Sequence, residues 1–106
     1  MKSLRNPTRK PTHPGAVLRE DVLPALGWTQ VELAKRLVVS RQTVSQLLLE
    51  KKSVTAEMAI RISKAIGGTP ESWLSMQQSV DLWDAEIKLR REPTLAQFFA
   101  QPTPTS

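Results

Sequence analysis

The sequence predicts an all-α protein: a compact five-helix domain with a tightly joined helix pair at about 29–49. Three observations predict it. Apolar residues recur at three- and four-residue spacing through most of 14–89. The gaps between these stretches hold helix caps and stops: Gly27, Thr29, Ser40, Thr55, Gly67-Gly68 and Thr69. No stretch is a good strand candidate, and there is no internal repeat.

Residues 1–12 carry Lys2, Arg5, Arg9 and Lys10 with Pro7, Pro11 and no acid, and read as a basic flexible arm. The domain proper is expected over 13–91. Pro14 and Gly15 open a helix to about Leu26, with Val17, Leu18, Val22 and Leu26 on its apolar face. Pro24 lacks a backbone donor and is expected to kink or shorten that helix, and Gly27 to end it.

Thr29 and Glu32 suit a capping box, and Trp28 and Leu33 a hydrophobic staple, at the start of a helix to about Leu37. Val31, Leu33, Ala34 and Leu37 are its apolar residues. Ser40 caps a second short helix, to about Leu49, with Val39 and Val44 as its staple. Thr55 caps a third to Ile66, striped by Ala59, Ile62, Ala65 and Ile66, with Ile60 off the stripe. Thr69-Pro70-Glu71 starts a long helix to Leu89 or Arg91. Pro93 stops it, and 92–106 reads as a Pro-containing tail in which Leu95, Phe98 and Phe99 form a short docking element.

Composition removes several classes of function. The 106 residues contain no Cys and one His, so neither a thiolate centre nor a His-rich metal site is available. His13 reads as an ordinary exposed residue or a local cap. Glu20-Asp21 and Asp81/Asp84 read as solvated helical faces rather than acid–base pairs. No Gly-rich phosphate loop or zinc spacing is present, so no enzymatic activity and no cofactor are expected. No apolar run approaches the roughly 20 residues of a membrane helix, and a soluble cytoplasmic protein is expected.

The charge is uneven. Residues 1–13 carry +4 and residues 27–54 carry +3, whereas 67–106 carry −2, within a net charge of +5. A protein that meets a polyanion with one end has this polarity.

The helix pair carries the function. Small Ala34 allows the two helices to approach, Val44 packs beneath that contact, and Leu47 and Leu48 continue the buried side. Arg41, Gln42, Thr43, Ser45 and Gln46 are left outside, at the N-terminal part of the second helix. This set resembles the exposed face of a helix-turn-helix recognition helix, which enters the major groove N-terminus first. Arginine reads guanine O6/N7 and glutamine reads adenine N6/N7, each with two hydrogen bonds. Ser40, Thr43 and Ser45 suit backbone contacts. Thr29 and Gln30 sit at the positive end of the preceding helix, a natural phosphate site. Lys51, Lys52 and Ser53 lie in the loop beyond the recognition helix, and Arg5, Arg9 and Lys10 can add arm contacts.

Four motifs together resemble a known family. They are His13-Pro14-Gly15, Thr29-Gln30-x-Glu32-Leu33-Ala34, Val39-Ser40-Arg41-Gln42-Thr43-Val44-Ser45 and Thr69-Pro70-Glu71-x-Trp73-Leu74. Over about residues 9–91 the chain resembles the HigA/VapI-type antitoxins, small members of the XRE/Cro-like class with the lambda-repressor-like DNA-binding fold. The resemblance implies a homodimer that binds an operator, represses its own operon and neutralises a HigB-like toxin, a ribosome-dependent mRNA interferase. It places base reading on Arg41, Gln42 and Gln46, and phosphate contacts on Gln30, Thr43, Lys51, Lys52 and Ser53. Two residues depart from the pattern. Val38 stands at the turn position usually held by Gly, where a positive φ costs a β-branched residue. Leu49 stands where Asn is common.

The long last helix is the expected dimer surface, although its apolar side chains fit the chain's own core equally well. Trp73, Leu74, Met76, Val80, Leu82 and Trp83 are more apolar side chains than a lone surface helix needs, and Ile60 is free to join them. In a two-fold dimer the recognition helices would stand about 34 Å apart over double-stranded DNA, on an inverted-repeat operator. Two other readings fit the same residues: a regulator without a toxin, and a toxin-binding or adaptor module without specific DNA binding.

Overall fold

The computed structural model describes residues 9–92. Arg5 of the arm and Leu95, Phe98 and Phe99 of the tail lie outside them. The described residues form five helical rods joined by short turns. The first, α1, is continuous from Pro14–Val17 through Leu18–Val22 to Leu23–Leu26. Then follow α2 (Gln30–Leu37), α3 (Arg41–Leu48), α4 (Ala56–Ala65) and α5 (Pro70–Arg90).

Helix α1 corrects one expectation. Pro24 does not shorten it: Leu18–Val22 winds as a π-helix, in which the Leu23 N–H donates to the Leu18 carbonyl, and the helix runs on to Leu26. The wider turn makes room where a proline ring would meet the carbonyl four residues earlier. It also moves the register on by one residue. Leu18 and Leu23 face inward, while Leu26, expected on the apolar face, is 45% exposed. Val31 of α2 is likewise exposed.

The core joins Leu18 and Leu23 to Leu33, Ala34 and Leu37 of α2, and to Val44, Leu47 and Leu48 of α3. Val54, Ala59, Ile62 and Trp73 close it from the other side. Helices α2 and α3 pack on each other, α4 packs on α2 and α5, and the start of α1 packs on α3 and α5. Trp28 and Val39, the expected staple residues, are partly buried against the core that holds Leu33 and Val44.

The long helix divides its apolar residues. Trp73 and Val80, expected at a dimer surface, are buried in the chain's own interior at 6% and 3% exposure. Leu74 and Met76 are partly buried against the core. Ile60 and Leu82 stay exposed, with Trp83 half-buried. The spacing from Trp73 to Val80 is two helical turns, which puts both on one side of α5.

Candidate nucleic-acid interface

Helices α2 and α3 form a hairpin whose second member is held at both ends. Ser40 caps α3: its Oγ accepts from the Thr43 N–H at 3.1 Å and lies 2.8 Å from the Thr43 hydroxyl. Arg41 and Gln42, the first residues of α3, are exposed. Among the described residues neither side chain has a hydrogen-bond or ion-pair partner, so both are free to bind a ligand. Thr43, Ser45 and Gln46, expected outside, are half-buried, since they flank the sunken Val44 and Leu47.

The phosphate candidates surround this end. The Thr29 Oγ1 accepts from the Glu32 N–H at 3.1 Å, which caps α2 and leaves the hydroxyl hydrogen for an outside acceptor. Gln30 is exposed at the same helix end, and Lys51, Lys52 and Ser53 are exposed in the loop after α3. Lys10 points elsewhere: it pairs with Asp84 of α5 at 3.3 Å.

Three turns around the hairpin share one geometry. Gly27, Val38 and Glu50 follow α1, α2 and α3 with φ of 68°, 57° and 62°. Behind each, the paired Schellman hydrogen bonds close the helix: Trp28 to Leu23, Val39 to Ala34 and Lys51 to Gln46 span the wider ring. Val38 thus adopts the left-handed conformation that glycine would take freely, and the turn geometry survives the substitution. Leu49 has an ordinary negative φ of −83°; the left-handed residue is its neighbour Glu50.

Two arginines brace these turns. The Arg61 Nη1 donates to the Leu37 carbonyl at 2.8 Å and the Val38 carbonyl at 3.3 Å. The Arg19 Nη1 donates to the Leu48 carbonyl at 2.6 Å and to Glu50 at 3.2 Å. The loop beyond is anchored by Gln77, which is buried: its Oε1 accepts from the Val54 N–H at 2.9 Å, and its Nε2 donates to Asp81 at 2.9 Å. Sequence reasoning missed all three residues. Gln77 was discernible, being the polar residue in the inward series Trp73, Gln77, Val80. The arginines reach carbonyls 24 and 29 residues away in sequence, and no local pattern marks such contacts.

The start of α1 seats α3 from behind. His13 is buried rather than exposed, and its Nδ1 accepts from the Gly15 N–H at 2.8 Å as the cap of α1. Burial lowers its pKa from the ordinary 6.5; Glu50 opposes this, Lys10 adds to it, and Asp81 and Asp84 oppose it.

A capped helix pair with an exposed polar N-terminal end matches a helix-turn-helix family model over residues 18–74. The chain belongs to the helix-turn-helix family. It is 40% identical to an HTH-type transcriptional regulator of Haemophilus influenzae, over 84% of this chain and 83% of that protein. It is 38% identical to antitoxin HigA-1 of Vibrio cholerae, over 84% of each chain. Among solved structures, antitoxin GraA in complex with its operator superposes with a TM-score of 0.75 and 33% identity, over 98% of this chain and 99% of that one. Helix α3 occupies the place of the recognition helix in this helix-turn-helix unit. Among the described residues no helix is long and apolar enough to cross a membrane.

Proposed function

We propose that this helix-turn-helix protein is a DNA-binding antitoxin that represses its own toxin–antitoxin operon. One observation carries the reading: the N-terminal end of α3 is uncovered and its first two side chains, Arg41 and Gln42, have no partner within the described residues. Their donors and acceptors match guanine and adenine edges in the major groove. Gln46 follows one turn on, as a third base-reading residue. Thr29, Gln30, Ser40, Thr43, Ser45, Lys51, Lys52 and Ser53 fix the register on phosphates around it. Likeness to HigA-1 and to an operator-bound antitoxin supports the same reading.

The chain acts as a two-fold dimer through α5, with the exposed Ile60 and Leu82 and the half-buried Trp83, and its operator is an inverted repeat with half-sites about 34 Å apart. Its protein partner is a HigB-like mRNA interferase encoded beside it. Footprinting on the DNA upstream of its gene tests the first claim: two symmetric protected half-sites are expected, and uniform protection contradicts it. Co-expression with the neighbouring small reading frame tests the second, with restored growth expected.

A further inference from the structure

We propose that Arg19 and Arg61 are positioning residues for base reading, each locking one of the two strained turns that bracket the recognition helix. This rests on the DNA-reading function proposed above. Val38 and Glu50, at φ 57° and 62°, are the described non-glycine residues in left-handed backbone. A side chain in that region is strained, and a β-branched one most of all. Left alone, either turn gains by relaxing toward extended backbone, and α3 then rotates against α2. The carbonyls that end a helix also carry partial negative charge and lack intrahelical partners.

An arginine answers both problems at each turn. Arg61 comes from α4, is steadied by Glu57 at 2.9 Å, and bridges the Leu37 and Val38 carbonyls. Arg19 comes from α1, is steadied by Glu20 at 2.6 Å, and bridges the Leu48 carbonyl and the Glu50 carboxylate. The planar guanidinium suits such a bridge because its donors are fixed in direction. With both ends held, the side chains of Arg41, Gln42 and Gln46 stay within the fraction of an ångström that two-pronged base contacts demand.

The test uses the full chain, fluorescence anisotropy, the upstream operator duplex and a random duplex of equal length. Arg61→Gln and Arg19→Gln are each expected to weaken operator binding about tenfold and random-DNA binding by less than about twofold, with the salt slope unchanged. Val38→Gly is expected to rescue Arg61→Gln but not Arg19→Gln; Glu50→Gly should rescue only Arg19→Gln. Equal loss on both duplexes with a shallower salt slope would make the arginines phosphate contacts and overturn the proposal. Failure of the glycine rescues would overturn it too. If Arg61→Gln does not fold, the comparison is made within Val38→Gly, where adding Arg61→Gln should cost no operator preference; a cost there contradicts the proposal. Wild-type protein without operator preference overturns the DNA-reading function beneath it, whereas variants that keep the wild-type preference overturn the positioning role alone.

Discussion

A β-carbon at Gly15 would stand 1.9 Å from the carbonyl oxygen of Leu47, so the start of α1 lies directly against the backbone of the recognition helix. The glycine is required by this approach, not by its backbone angles. Gly15→Ala must push α3 outward or unseat α1, since backbone cannot step aside as a flexible side chain does. A loss of at least about 1–3 kcal/mol is expected from such overpacking, read by urea unfolding. Operator binding should fall with it, because the displaced element is the reading helix.

His13 makes this seat sensitive to acid. Its folded-state pKa is lowered, chiefly by burial, and its Nδ1 is occupied in accepting the Gly15 N–H. The unfolded chain therefore takes up this proton first as the pH falls. The stability that neutral His13 contributes is whole above about 6.5 and drains away as the pH drops from there through the lowered folded value. His13→Asn keeps a capping side chain without a titration. Thermal melts across this range should show a smaller acid-side fall in the variant than in the wild type.

Val38→Gly should stabilise the protein by about 1 kcal/mol, the relief of left-handed strain exceeding the added freedom of the unfolded chain. Val38 is 76% exposed, so little burial is forfeited. Chemical denaturation gives the sign directly, and a loss of stability would mean that the turn is not strained.

Gln77→Leu keeps the bulk of the side chain but removes the acceptor for the buried Val54 N–H. A buried donor left unsatisfied costs about 1–3 kcal/mol. Hydrogen exchange at Val54 should quicken, and the Lys51–Ser53 loop just before it should loosen.

Much of this was legible in the sequence because caps and periodicity are local. Thr29, Ser40, Thr55 and Thr69 each accept from the backbone N–H three residues on, as their sequence contexts predict. Glu32, however, pairs with Arg36 rather than reaching back to Thr29, and the reciprocal box forms at Thr69 and Ser72 instead. Val44, Leu47 and Leu48 are buried on the predicted side of α3. What stayed hidden depends on distance or register. A π-turn in α1 shifted one apolar face by a residue, turning Leu23 in and Leu26 out. Trp73 and Val80 could not be assigned to core or interface by spacing alone, because both environments select apolar side chains. The arginine braces and the left-handed Glu50 arise from tertiary contacts that no short window contains.

The central claim is that α3 reads bases while its surroundings hold phosphates. Anisotropy titrations of wild type, Gln42→Ala and Lys52→Ala on operator and random duplexes over a salt series test it most directly. Gln42→Ala should lose about 1–3 kcal/mol on the operator and almost nothing on random DNA, while Lys52→Ala should weaken both alike and lower the salt slope by about 1. Equal affinity of the wild type for the two duplexes, unaffected by Gln42→Ala, would contradict it.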